Sequence, residues 1–81
     1  MKIKVNLYYH LRQKAGNGCL DIEIQEKSTI GELKKKLESS YPKLRTHLDN
    51  VMVLMNRMIV LDDDVIKDKA EISFLTPVGG G

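Results

Sequence analysis

The stretch that decides the fold is "TIGELKKKLESSYP", residues 29–42. Its apolar positions Ile30, Leu33, Leu37 and Tyr41 recur every three or four residues, which places them on one face of a helix. Thr29 and Glu32 have the spacing of a capping box, in which the threonine oxygen takes an orphan amide of the first turn and the glutamate reaches back. Pro42 biases Tyr41 towards an extended backbone, so the helix ends near Ser40. Gly31 weakens the first turn by about 1 kcal/mol relative to alanine, which points to a neighbouring backbone passing close by. Lys34, Lys35 and Lys36 point in three successive directions and read as a solvated surface.

On either side of this helix the period is two. "KIKVNLYY", residues 2–9, puts Ile3, Val5, Leu7 and Tyr9 on one face and Lys2, Lys4, Asn6 and Tyr8 on the other, the mark of a half-buried strand. "HLRQKAGNG" breaks the alternation, with a turn expected at Gly16-Asn17-Gly18. "CLDIEIQ", residues 19–25, alternates again, so the two strands form an antiparallel hairpin with a long loop. Beyond the helix, "PKLRTHLDN" reads as a connector with one helical turn that buries Leu44 and Leu48. "VMVLMN", residues 51–56, is continuously apolar and reads as a central strand covered on both faces. A tight turn at Asn56-Arg57 leads into a short strand, "RMIVL". "DDDVIKDKA" is a polar crossover, and "EISFLTP" is the last strand, ending near Pro77 because proline cannot donate to a ladder.

One sheet with one main helix across one face is an α+β two-layer domain. The chain has 81 residues, 42% hydrophobic and 30% charged, with a formal charge of +2. That suits a single folded domain and lacks the dense basic stripe of a nucleic-acid binder. No run approaches a membrane span, and charges interrupt the N-terminal apolar run, so a signal peptide is not expected. The lone Cys19 has no partner for an internal disulfide. Together these features point to a cytoplasmic domain.

Chemistry is sparse. His10, Cys19 and His47 match no metal-ligand spacing. Both histidines read as exposed, and Cys19 as a sheet residue. Asp62-Asp63-Asp64 lacks the following oxygen ligand and glycine of a calcium loop; a turn capping a short helical segment fits better. No metal site, phosphate loop or poised carboxylate pair is visible. The exception is the end of the chain, "LTPVGGG". Three terminal glycines by chance have a probability of about 0.03% at average composition, which leaves a working end or a linker remnant.

Together, "KVNLYYHLRQKAG", "STIGELKKKLESSYP" and "VMVLMNRMIVLDDDVIKDKAEISFLTPVGGG" resemble the small, sulfur-carrying subunits of molybdopterin synthases over essentially the whole chain. The most specific segments are the Asn56 turn, "DKAEISFLTPV" and Gly80-Gly81. Lys69 stands where that family usually has glycine, Thr76 where it commonly has proline, and Gly79 where a small or polar residue is usual. The resemblance implies a β-grasp (ubiquitin-like) fold: a mixed sheet of four to five strands with one main helix on one face. Residues 1–76 then form the domain, and 77–81 a flexible glycine tail.

The resemblance also implies a non-catalytic carrier with no bound cofactor. A ubiquitin-activating-like adenylating enzyme uses ATP to activate the α-carboxylate of Gly81, and a sulfur donor converts it to a thiocarboxylate. The large catalytic subunit, in a heterotetramer, then uses that sulfur to build the dithiolene of the molybdenum cofactor. A terminus without side chains suits a narrow tunnel, and Pro77 to Gly81 reaches roughly 17 Å when extended. Gly79 and Gly80 would insert with Gly81. Leu75, Met52 and Leu54 fall on the sheet face away from the helix and, with Pro77 and Val78, form the expected docking surface. A sister carrier for thiamine or tRNA thiolation, a ubiquitin-like protein modifier and a plain interaction module are the other readings.

Overall fold

In a computed structural model, the described residues are 1–8, 10–48 and 51–75. In chain order the elements are β1 (Lys2–Leu7), α1 (His10–Ala15), β2 (Cys19–Glu23) and α2 (Ile30–Ser40), followed by a 3₁₀ turn (Pro42–Leu44). Then come β3 (Met52–Met55), β4 (Met58–Val60) and β5 (Glu71–Leu75). The strands form one five-stranded sheet in the order β2-β1-β5-β3-β4. β1 runs parallel to β5, and every other neighbouring pair is antiparallel. The mixed sheet and single main helix of the expected fold are both present, in a β-grasp, ubiquitin-like arrangement.

The alternation seen in the sequence becomes the division between the two faces. Ile3, Val5 and Leu7 of β1, Ile72 and Phe74 of β5, and Val53 and Met55 of β3 all lie on the buried side. Against them α2 lays Ile30, Leu33 and Leu37, each fully buried. Burial of a side chain of that size stabilises the fold by roughly 1.5–3 kcal/mol. The helix starts where its sequence says. Glu32 N–H donates to Thr29 Oγ1 at 3.2 Å, and Thr29 N–H donates to Glu32 Oε1 at 2.9 Å. Gly31 does pass close to another backbone: its N–H donates to the Asp62 carbonyl at 2.8 Å, and an added Cβ would lie 3.3 Å from that oxygen. Leu44 and Leu48 are fully buried under the 3₁₀ turn region.

Four sequence expectations need correction. The segment after β1 is not only a loop, because His10–Ala15 forms a helix with Leu11 fully buried and Ala15 packed on the core. Those two positions are one turn apart, too short a run to show a period. Gly16, at φ +79, terminates it. β3 is not central or covered on both faces. β5 takes the central place, and Met52 is 47% exposed. Asp62–Asp64 starts no helical segment; the chain turns there instead, and Val65 then forms an isolated bridge to Thr29. Lastly, His47 is half-buried rather than exposed.

Candidate docking face

Among the described residues nothing covers the sheet face away from α2, and the strand registers sort it into two halves. Over β2 and β1 it is polar: Lys2 lies opposite Glu23, Lys4 opposite Asp21 and Asn6 opposite Cys19. Lys4 also neighbours Glu71 of β5, and Asn6 Nδ2 donates to Glu71 Oε2 at 2.9 Å. Cys19 is an exposed free thiol.

Over the end of β5, β3 and β4 the same face is apolar. Met52 pairs with Leu75, Leu54 lies opposite Ser73, and Leu54 also faces Ile59 across the β3–β4 hairpin. The three docking residues expected within the sheet, Met52, Leu54 and Leu75, are therefore brought together. Each is partly or largely accessible, while Val53, Met55 and Phe74 beside them are buried. Pro77, Val78, Gly79, Gly80 and Gly81 lie outside the described residues, as does the boundary at residue 76.

Two contributors were missed. Ile59, 67% exposed, extends the apolar strip to the sheet edge. It was legible by parity: Asn56 and Arg57, at φ 51 and 72, form the two-residue turn, and counting across it places Ile59 beside Leu54. Tyr8, 41% exposed, follows Leu7. One step beyond the Leu7–Phe74 pair of the parallel register it flanks Leu75. Its outward parity was in the sequence, but the pairing of β1 with β5, which gives that parity meaning, joins residues far apart in the chain.

Asn56 positions the apolar half. Its N–H donates to the Glu71 carbonyl at 2.9 Å, and its Oδ1 accepts the Glu71 N–H at 3.0 Å. The turn after β3 is thereby locked to the start of β5. Among the described residues no three His, Cys, Asp or Glu side chains are grouped to hold a metal ion. No helix of the described residues is long and apolar enough to cross a membrane.

Exposed apolar strips of this kind mark contact surfaces in other proteins, and comparison with known proteins bears on what such a surface would meet. The profile of the ThiS family matches residues 5–81. The chain belongs to the ThiS family. It is a small ubiquitin-like protein of the sulfur-carrier type. Over 82 aligned positions this ThiS-family chain is 33% identical to the molybdopterin synthase sulfur carrier subunit of Mycobacterium tuberculosis (strain ATCC 25618 / H37Rv), covering 98% of this chain and 99% of that protein. In fold it is similar to SAMP1 from Haloferax volcanii, with a TM-score of 0.90 at 20% identity and full coverage of both chains. It is also similar to a chain in the complex of subunits 1 and 2 of molybdopterin-converting factor from Helicobacter pylori 26695, with a TM-score of 0.72 at 22% identity and full coverage of both.

Proposed function

We propose that this protein is the sulfur-carrying small subunit of a molybdopterin synthase, and that Gly81 bears the sulfur as a C-terminal thiocarboxylate. The observation that carries the reading is the position of Leu75. It ends the central strand inside the apolar strip beside Met52, and the chain passes from it directly into Thr76–Gly81. A partner seated on the strip would therefore lie where the terminal segment departs. The near full-length likeness to the Mycobacterium tuberculosis subunit supports the pathway.

The chemistry then runs in other proteins' sites. An adenylating enzyme joins the Gly81 carboxylate to the AMP portion of ATP and releases pyrophosphate. Sulfur at the sulfide level, delivered by the donor as hydrosulfide, attacks the acyl carbon, its proton is lost, AMP leaves, and the thiocarboxylate remains. The large catalytic subunit takes up the tail, with Pro77 and Val78 at its mouth and Gly79 and Gly80 inside, and directs the sulfur to its pterin substrate. Two carriers and two large subunits make the heterotetramer. This chain contributes no group to catalysis beyond its terminal carboxylate. Its role is to present that group: Met52, Leu54 and Leu75 hold the body while the glycines, lacking Cβ atoms, pass close to the partner's walls. Ordering the glycines costs about 1–2 kcal/mol each, which the docking contacts offset.

Incubation with ATP, an adenylating enzyme and a sulfur donor tests the reading. The expected product is sulfur on the C-terminal peptide. Whole-protein mass is insufficient, because an oxygen added to one of the four methionines changes the mass almost as much as sulfur replacing oxygen. Alkylation of the thiocarboxylate, located by fragmentation to Gly81, separates the two. Deletion of Gly81 should abolish the product. Persistence of sulfur transfer after that deletion would refute the assignment, and stable capture of a thiamine or tRNA enzyme in place of a large molybdopterin synthase subunit would redirect it.

A further inference from the structure

β4 is an outer strand of the sheet, and the phase of the ladder shows which of its backbone groups face outward. The Asn56 N–H donates to the Glu71 carbonyl, one step beyond the Met55–Ile72 pair of the β3–β5 register. Bonding alternates along antiparallel strands, so Leu54, two residues back, also turns its amide and carbonyl towards β5. Leu54 and Ile59 are then a pair without mutual bonds, and the Ile59 N–H and C=O point out from the edge. Leu61 continues that alternation, but its groups are occupied. Its N–H donates to Asp64 Oδ2 at 2.7 Å, and its carbonyl accepts the Asp64 N–H at 3.1 Å.

The side chains along this edge complement themselves. The segment from Arg57 to Asp63 reads "RMIVLDD". A second copy laid antiparallel, with Val60 opposite Val60, sets Ile59 against Leu61 and Arg57 against Asp63, each pair occurring twice. Ile59 and Leu61 are 67% and 68% exposed, and Arg57 and Asp63 are exposed. Met58 falls opposite Asp62, whose carboxylate is turned to Lys34 at 2.7 Å. The backbone bonds of such a seam would join Ile59 of one copy to Leu61 of the other, and the Leu61 groups are the ones that the Asp64 turn holds.

We propose that β4 is a self-complementary edge for a second copy of this chain, and that the Asp64 turn keeps it closed by occupying the outward amide and carbonyl of Leu61. An unpaired apolar edge invites association, and here one carboxylate competes with the incoming strand. The seam would be two-fold and closed, giving a dimer rather than a fibre.

Light scattering on the full chain, with circular dichroism to verify folding, tests this. Asp64→Ala should tighten self-association about a hundredfold, one charge-assisted bond being released in each copy, and should give a dimer where the parent chain is monomeric. Adding Arg57→Asp should restore the monomer, and adding Asp63→Arg to that double variant should restore the dimer. Folded Asp64→Ala that stays monomeric at millimolar concentration overturns the proposal, as does a dimer indifferent to the charge exchange. If Asp64→Ala fails to fold, Asp64→Gly decides: it also removes the acceptor oxygen, at a turn position that glycine tolerates, and a dimer supports the proposal while a monomer overturns it.

Discussion

The two ends of β5 share a strand and a sheet face, yet they present opposite chemistry. At its start, Glu71 sits among Lys4, Asn6 and Asp21, and the open cleft there is lined by Lys2, Lys4, Asp21, Lys69, Ala70 and Glu71. At its end, Leu75 lies between Met52 and the Tyr8 side of β1. A charged end is covered by water at little cost, whereas exposed apolar side chains are compensated only when something covers them. The contrast teaches that the pleat decides which residues face outward, and composition decides which part of that outward face water covers at little cost and which part it does not.

The sharpest way to break the comparison is at two adjacent residues of the apolar end. Phe74 is fully buried, so Phe74→Ala should cost about 3–5 kcal/mol in a denaturant titration. Leu75 faces the other way, so Leu75→Glu should leave the unfolding midpoint within about 1 kcal/mol of the parent while weakening binding of the large subunit at least about a hundredfold, read by calorimetry. If Leu75→Glu unfolds the domain, the division of faces at the end of β5 is wrong. Ile59→Glu should behave like Leu75→Glu with a smaller loss, since it lies at the rim of the strip.

The charged end should show the reverse pattern. Lys4→Glu would place three carboxylates together, at positions 4, 21 and 71. Like charges directly opposite in a sheet cost roughly 0.2–1 kcal/mol. The loss should shrink in high salt, which screens exposed charges, and affinity for the large subunit should be unchanged. A binding defect in this variant as large as that of Leu75→Glu would remove the distinction between the two ends.

How much of this was legible in the sequence depended on whether the signal was local. The capping box at Thr29 and Glu32, the buried face of Ile30, Leu33 and Leu37, and the Asn56-Arg57 turn each need only a few neighbouring residues, and all are found where the pattern puts them. Helix α1 carries only Leu11 and Ala15 as anchors and lies beneath the threshold of periodicity. The place of β3 depended on strand order, which is set by the parallel contact of β1 with β5 at the far end of the chain, and an apolar run alone does not distinguish a central strand from one with a docking face. The outward placement of Met52, Leu54 and Leu75 followed from parity in β3 and β5. Ile59 and Tyr8 needed the pairing of strands as well.

The smallest expected effect lies at the turn that leads into the charged end. Lys69 holds φ 60, in the left-handed region, at a position where the resembled carriers usually have glycine. A side chain there crowds its own backbone, at roughly 1–2 kcal/mol. Glycine removes that crowding but loses more freedom on folding, so Lys69→Gly should stabilise by a net of about 0.5 kcal/mol. In a domain of this size that is a rise of roughly 2–4 °C in Tm. Charge offers a competing cause, because Lys69 shares its cleft with Lys2 and Lys4. Lys69→Ala separates the two, since it removes the charge and keeps the Cβ. If backbone geometry is the cause, alanine gives no gain and glycine alone raises Tm in calorimetry. Equal gains from both would assign the cost to repulsion among the lysines, and the charged end would then have a price in stability that its exposure to water does not cancel.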